Sequence, residues 1–297
     1  KFRGSDLRGF DLHGRDLREC AFLECDLRGA NFSGTTLNDS DFTGSNLAGA
    51  DLRSSKMFGA VFEGANLAAT DFTEAELDWC HFEGAKMNKT ILHRTKFDRT
   101  SFEESDLPSA DLLTTVFRRC DLQGLKFPER DLSGCDLTDA DLSGADLSRA
   151  KLVRVRATGC DFTGASLAKA AFRDALLEST DFTEADMREA DLTGARLHHA
   201  CFEKARLGGA VFQGADARET NLSGVDAQKT AFLSTKLHYA DFSYARLDRA
   251  DFSGADLQNA EMHAATTEGT EWRTANLAGI RPTDKERLKG ERWKKEE

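Results

Sequence analysis

Residues 140–149 read Ala140-Asp141-Leu142-Ser143-Gly144-Ala145-Asp146-Leu147-Ser148-Arg149. The two groups of five share one plan: a small residue, an Asp, a Leu, then two polar or turn-forming residues. Working outward in both directions, the plan persists. Every fifth residue from Phe2 to Leu277 is Leu, Phe or Met, except Ala157, Ala217, Ala227, Thr267 and Trp272. Two positions before most of the large residues sits a small one, as at Ala30, Thr35, Ser40, Ser45 and Ala50, with Phe10, Arg15, Leu125, Arg130, Val155 and Val225 as exceptions. A period of five fits neither the 3.6-residue helix nor the two-residue strand. If each pentad forms one side of a coil, with its large and small residues turned inward, the interior is filled and the other residues face water. Such an array is a solenoid.

The number of sides follows from aligning the large residues every 20 positions. Phe2, Phe22, Phe42, Phe62, Phe82 and Phe102 fall in one column, continue as Leu122 and Leu142, and resume as Phe162, Phe182, Phe202, Leu222 and Phe242. Four sides per coil are therefore expected, with a phenylalanine stack along one inner edge. At the ~4.8 Å spacing of β-ladders, about 14 coils would make a rod of roughly 67 Å.

Segments such as Ala140–Gly144, Ala145–Arg149 and Ala190-Asp191-Leu192-Thr193-Gly194 resemble the A(D/N)LXX motif of pentapeptide repeat proteins. The resemblance runs over about residues 1–279. It implies an all-β fold, a right-handed quadrilateral β-helix, and it implies little about function, because one fold hosts many functions.

Composition narrows the rest. The 297 residues carry 40 Lys+Arg against 51 Asp+Glu, a net charge of -11, and no apolar run approaches the roughly 20 residues of a membrane-spanning helix. The start of the chain shows no secretion signal, so a cytoplasmic protein without membrane contact is expected. Net acidity disfavours direct nucleic-acid binding, which rests on clustered Lys and Arg.

The division expected is a solenoid over residues 1–279 and a C-terminal cap and charged tail over 280–297. After Leu277 come Ile280 and Pro282, then Thr283-Asp284-Lys285-Glu286, a capping-box pattern that opens a short charged helix. Leu288 and Trp293 would lie over the last coil and, with Ile280, cap it. Phe2 is already in frame, with no starting Met and no capping segment, so Lys1 is expected to be a boundary within a longer chain. The alternative is a natural end covered by a second copy, a homodimer through the end of the solenoid. One turn departs from the pattern: Leu125, Pro128 and Arg130 lie together, with Pro108 one coil below. A kink or bulge is expected there, either a tolerated irregularity or a notch for a partner.

The usual catalytic constellations need side chains converging in a cleft. No insertion interrupts the frame to build one, so no enzyme and no cofactor are expected. Cys20, Cys25, Cys80, Cys120, Cys135 and Cys160 occupy inward small positions, and Cys201 directly precedes an inward Phe. Cys80 and Cys120 would lie two coils, about 10 Å, apart, beyond disulfide reach, which suits a reducing compartment. His198, His199 and His238 share one side and are read as solvated surface residues, since a metal needs more ligands closer together. Glycines such as Gly44, Gly64 and Gly84 occupy the turn of the pentad and form no phosphate loop.

The outer faces hold the functional candidates. The side bearing the Phe stack sums to about -13, with candidate residues Asp41, Glu63, Glu83, Glu103, Glu104, Asp121, Asp141, Asp161, Asp181 and Glu184. Some pentapeptide repeat proteins, Qnr-type quinolone-resistance proteins among them, resemble DNA and bind type II topoisomerases, and an acidic rod invites that comparison with DNA gyrase as partner. B-DNA, with one charge per ~1.7 Å, would carry roughly 37 over the same length. Asp before the central residue is also the family's ordinary pattern, so many of these acids are expected to serve the coil's own turns. Outward apolar residues gather on two other sides: Phe58, Trp79, Val116, Leu176 and Tyr239 on one, Leu113 and Leu233 on the next. They are either the scattered exposure normal for proteins or a surface for a protein partner.

Glu268-Gly269-Thr270-Glu271-Trp272, then Gly279-Ile280-Arg281-Pro282-Thr283-Asp284 and Trp293, resemble the tail of accessory proteins of type VI secretion systems, thought to help load effectors. The function expected is therefore a non-catalytic protein-interaction scaffold or adaptor, such as the C-terminal part of a protein of that kind. DNA mimicry toward a topoisomerase is the alternative.

Overall fold

A computed structural model describes residues 1–293. The chain divides into two compact units, Lys1–Ala145 and Asp146–Glu297. Each is built as the five-residue period requires. In the first unit Asp41 bridges Val61 in parallel, Val61 bridges His81, His81 bridges Ser101, and Ser101 bridges Asp121. In the second, Asp161, Asp181, Cys201, Asn221 and Asp241 form the same kind of ladder. Every rung joins residues 20 apart, so each unit is a four-sided β-helix with one pentad per side.

The corners explain the pentad. The small residue's N–H donates back to the large residue's carbonyl, as from Ala50 to Leu47 at 2.8 Å, and the residue between them in the turn has φ near +60°. This is the third position of a type II turn, where glycine is the natural choice. Gly194 (φ +67°) shows why, since a Cβ there would lie 2.6 Å from Asp174 Oδ1. Asp before the large residue completes the turn by accepting the backbone N–H two residues on, as Asp161 does from Thr163 at 2.7 Å.

The interior is mostly apolar and ordered in columns. Phe22, Phe42, Phe62, Phe82 and Phe102 stack nearly parallel, with centroids 4.8–5.2 Å apart. In the second unit Phe162, Phe182 and Phe202 do likewise, and Phe212, Phe232, Phe252 and Trp272 form another stack. Trp272 thus continues a core column and is no exception to it. Between columns the rings meet edge to face, as Phe172 meets Phe182 at 82°, the geometry aromatic quadrupoles favour. Threonines at small positions stay satisfied because Oγ1 donates to a carbonyl 23 residues earlier: Thr95 to Phe72 and Thr235 to Phe212, both at 2.8 Å.

Most rungs are single bridges, but two short sheets form in the first unit. β1 (Phe2–Arg3) pairs with β2 (Phe22–Leu23). β3 (Lys56–Phe58), β4 (Glu76–Asp78), β5 (Lys96–Asp98) and β6 (Val116–Arg118) make a four-stranded parallel sheet. The irregular turn falls one coil before Leu125–Arg130: Leu107–Ser109 is a single 3-10 turn with Pro108 at its start. There Asp106 turns its carboxylate to the Met87 N–H, which elsewhere bonds a carbonyl. Leu125 is nonetheless buried, and the Arg130 guanidinium donates to the Ala110 carbonyl.

At the C-terminus α1 spans Lys285–Trp293. Its cap is Asp284, which accepts the Glu286 and Arg287 N–H groups at 2.9 and 3.1 Å. Thr283, the capping residue of the expected box, instead accepts the Ala264 N–H at 3.1 Å, and so ties the segment to the coil. The helix closes the end only in part. Ile280 and Leu288 are half-buried, but Leu277 stays 39 % exposed; the Trp293 side chain lies outside the described residues.

Candidate functional site

The acidic face has two kinds of carboxylate. Asp41, Asp121, Asp141, Asp161 and Asp181 each accept the backbone N–H two residues on, at 2.7–3.1 Å. One oxygen of each is thereby engaged in the turn. Glu63, Glu103, Glu104 and Glu184 are exposed, and Glu83 is half-buried with its carboxylate 3.2 Å from His81 Nδ1. On other faces pentads with Arg two residues after the turn Asp close that Asp onto the Arg, as Asp51 with Arg53 and Asp186 with Arg188, both 2.6 Å. Arg53 and Arg188 hold these carboxyls below the usual range. Such exposed pairs contribute about 0–1 kcal/mol each.

The apolar candidates differ in exposure. Phe58, Trp79 and Leu113 in the first unit and Tyr239 in the second are 51, 50, 56 and 60 % exposed, whereas Val116, Leu176 and Leu233 are half-buried. Phe58 ends β3 opposite Asp78, and Trp79 follows that Asp, so the two aromatics occupy adjacent coils of the β3–β6 face. Leu113 belongs to the neighbouring side. Above Trp79 lies the Arg99 guanidinium, 5.2 Å from the ring centroid, and Arg119 donates through Nε to Asp98 at 2.7 Å. Burial, then Asp98 and Glu76, push the Asp78 carboxyl up. Sequence reasoning located the aromatics but not these arginines, whose proximity depends on the 20-residue register.

Two histidine arrangements were also missed. His263 is fully buried under α1; its Nδ1 accepts the Asp284 N–H at 3.1 Å and its Nε2 lies 3.3 Å from Glu291. Arg287 pairs with Glu291 at 2.8 Å and rests 5.9 Å over the Tyr244 ring. The Tyr244 hydroxyl, then Arg287 and His263, hold the Glu291 carboxyl at about 2, against an ordinary 4.5. The docked helix thus binds this proton more weakly than the detached one. The Glu291 contribution to the attachment is complete above about pH 4.5 and is lost as pH falls toward 2. Across that range the Tyr244 ring resonances are expected to shift as the contact with Glu291 is lost; ring shifts identical at pH 2.5 and 6 would refute the coupling. In the second arrangement His198 and His199, solvent-exposed as expected of surface residues, both approach Glu219.

The cysteines are all free thiols, with Cys25, Cys80, Cys120, Cys135 and Cys160 buried and Cys20 and Cys201 half-buried. Burial pushes the thiols of Cys120 and Cys135 up to about 12 and that of Cys80 higher still. Iodoacetamide at pH 8 should therefore label Cys20 and Cys201 first and spare those three until the protein unfolds. Mass-spectrometric mapping of the label checks this.

Among the described residues, no helix is long and apolar enough to cross a membrane. Family models for the pentapeptide repeat region match residues 15–90 and 126–202, more than half of the chain, and models for pentapeptide repeats in eight copies match 75–112, 95–134, 205–238 and 235–266. No curated protein matches the chain significantly. Among the solved structures that resemble it are the following three. HetL, a pentapeptide repeat protein involved in heterocyst differentiation regulation from the cyanobacterium Nostoc, is 24 % identical over 92 % of this chain and 89 % of its own, with a TM-score of 0.25. A trypsin-treated QnrB1, a plasmid-mediated fluoroquinolone resistance protein, is 18 % identical over 98 % of each chain, with a TM-score of 0.23. A pentapeptide repeat protein from the Arabidopsis thaliana thylakoid lumen is 23 % identical over 55 % of this chain and 71 % of its own, with a TM-score of 0.15. At such TM-scores the assignment rests on the family models and on the five-residue frame that each unit folds by: the chain belongs to the pentapeptide repeat proteins.

Proposed function

We propose that this protein is a non-catalytic scaffold that binds another protein through aromatic anchors on its flat sides. The observation that carries this reading is the placement of Trp79 and Tyr239. Both occupy the left-handed turn position, φ +59°, which glycine fills without strain. Both are at least half exposed. An aromatic there gains neither conformational ease nor burial, so folding does not account for it. Trp, Tyr and Arg are the residues that dominate interface energetics, and Trp79 sits beneath Arg99.

The test is a partner recovered by crosslinking, then titrated against purified variants. Trp79→Ala and Tyr239→Ala should each weaken binding by about 2 kcal/mol or more, roughly 30-fold, if they are anchors, with thermal melting unchanged. Equal affinity for the double variant would remove the reading. The finer assignment, a type VI secretion accessory role, rests on the tail resemblance. It would be supported by a secretion effector as the recovered partner. DNA mimicry ranks second, because Asp41, Asp121, Asp141, Asp161 and Asp181 each commit one oxygen to a backbone N–H, so the turns account for their presence without a partner. Inhibition of gyrase supercoiling by the purified protein would reverse that order.

A further inference from the structure

On the second unit, two adjacent imidazoles converge on one carboxylate. His198 Nε2 lies 3.2 Å from Glu219 Oε1 and His199 Nδ1 lies 3.7 Å from Glu219 Oε2. The rings themselves are 3.9 Å apart, tilted by 33°. One ligand atom from each residue can be chosen so that all lie within 4.8 Å of one another. Neighbouring residues of an extended chain point to opposite faces. Here His199 is left-handed, φ +60°, and the turn brings both rings to the same side, while the 20-residue register supplies Glu219 from the next coil.

The three residues present imidazole nitrogens and a carboxylate oxygen at one point of the surface. We propose that His198, His199 and Glu219 form a binding site for one divalent transition ion of the zinc class. Imidazole nitrogen and carboxylate oxygen are its preferred donors, at bonds of about 2.0–2.2 Å. Tetrahedral bonds of that length place donors about 3.3–3.6 Å apart; the contacts to the two Glu219 oxygens are 3.2 and 3.7 Å, and a set with one atom from each residue, now within 4.8 Å, would draw together to hold an ion. Three protein ligands leave a fourth position for water or an incoming ligand. His199 and Glu219 line a shallow surface cleft of about 450 Å³ together with Thr220, Asn221, Tyr239 and Asp241, which gives that position room.

The experiment is titration of the untagged, chelator-treated full chain with Co²⁺, read by its d–d absorption, followed by displacement with Zn²⁺. One equivalent is expected to bind. Second-shell changes alone cost metal sites about 10–100-fold in affinity, so His198→Ala, His199→Ala and Glu219→Gln should each weaken uptake by at least about 10-fold. The His198→Ala/His199→Ala pair should abolish it, and His238→Ala should leave it intact. All three side chains are substantially solvent-exposed, so an unchanged melting curve is expected in every variant. Imidazole NMR shifts of the wild-type protein on adding Zn²⁺ give the same decision without any variant: His198 and His199 move together at one equivalent. No uptake by the wild type, uptake unchanged in the double variant, or shifts confined to other histidines would overturn the proposal.

Discussion

Phe182→Ala is expected to destabilise the second unit by about 3–5 kcal/mol, toward the upper end of that range for a buried phenylalanine. The ring is fully buried, lies parallel to Phe162 at 5.2 Å and to Phe202 at 4.9 Å, and meets Phe172 edge-on at 6.0 Å. Cavity costs fall when the surroundings can collapse into the void. Here they cannot, because backbone bonds fix the coil spacing on both sides of the site. The Phe162 N–H donates to the Asp181 carbonyl and the Phe182 N–H to the Cys201 carbonyl, each at 2.7 Å. A lower midpoint in guanidinium denaturation is the primary readout. Repeat arrays are stabilised by nearest-neighbour terms, so amide exchange should accelerate most in the coils carrying Phe162 and Phe202. An unchanged midpoint would mean that the stack contributes nothing and that the ladder alone carries the fold.

The reverse change, Ala185→Leu, is expected to cost about 1–3 kcal/mol or more through overpacking. Ala165, Ala185 and Ala205 form one small column, each fully buried. The Asp186 N–H donates to the Ala165 carbonyl and the Arg206 N–H to the Ala185 carbonyl, both at 2.9 Å. Extra methylenes can be admitted only by stretching those rungs or forcing the new side chain off its rotamer. Thermal melting and the exchange rates of the Asp186 and Arg206 amides report which one yields. Equal stability of Ala185→Leu and the parent would mean that the small column is compositional habit with no steric requirement behind it. Together the two substitutions test whether each coil needs one large and one small residue per side.

The inward residues were legible because they repeat. Leu142, Phe182 and Ala185 announce their places by spacing alone, since a five-residue frame without insertions leaves one way to turn the large side chains inward, and the 20-residue column of phenylalanines counts the sides. The turn carboxylates were legible for the same reason. Asp161 is local in its partner, the Thr163 N–H two residues on, so no long-range information is needed. The outer face is different. Trp79 was visible as an aromatic, but Arg99 above it and the Asp98–Arg119 pair beside it are joined only through the coil register.

Sequence alone therefore determined the fold class, the identity of nearly every core side chain and the role of the repeated aspartates, because those depend on period and on contacts within a pentad. Tertiary structure alone decided which outward residues become neighbours. It drew His198 and His199 onto Glu219, placed α1 over His263 and Tyr244 while leaving Leu277 partly open, and moved the irregular turn to Leu107–Ser109. The physical reason is that outward side chains carry no packing constraint that a period could encode; their partners are set by coil-to-coil alignment and by the left-handed turns that re-aim individual residues.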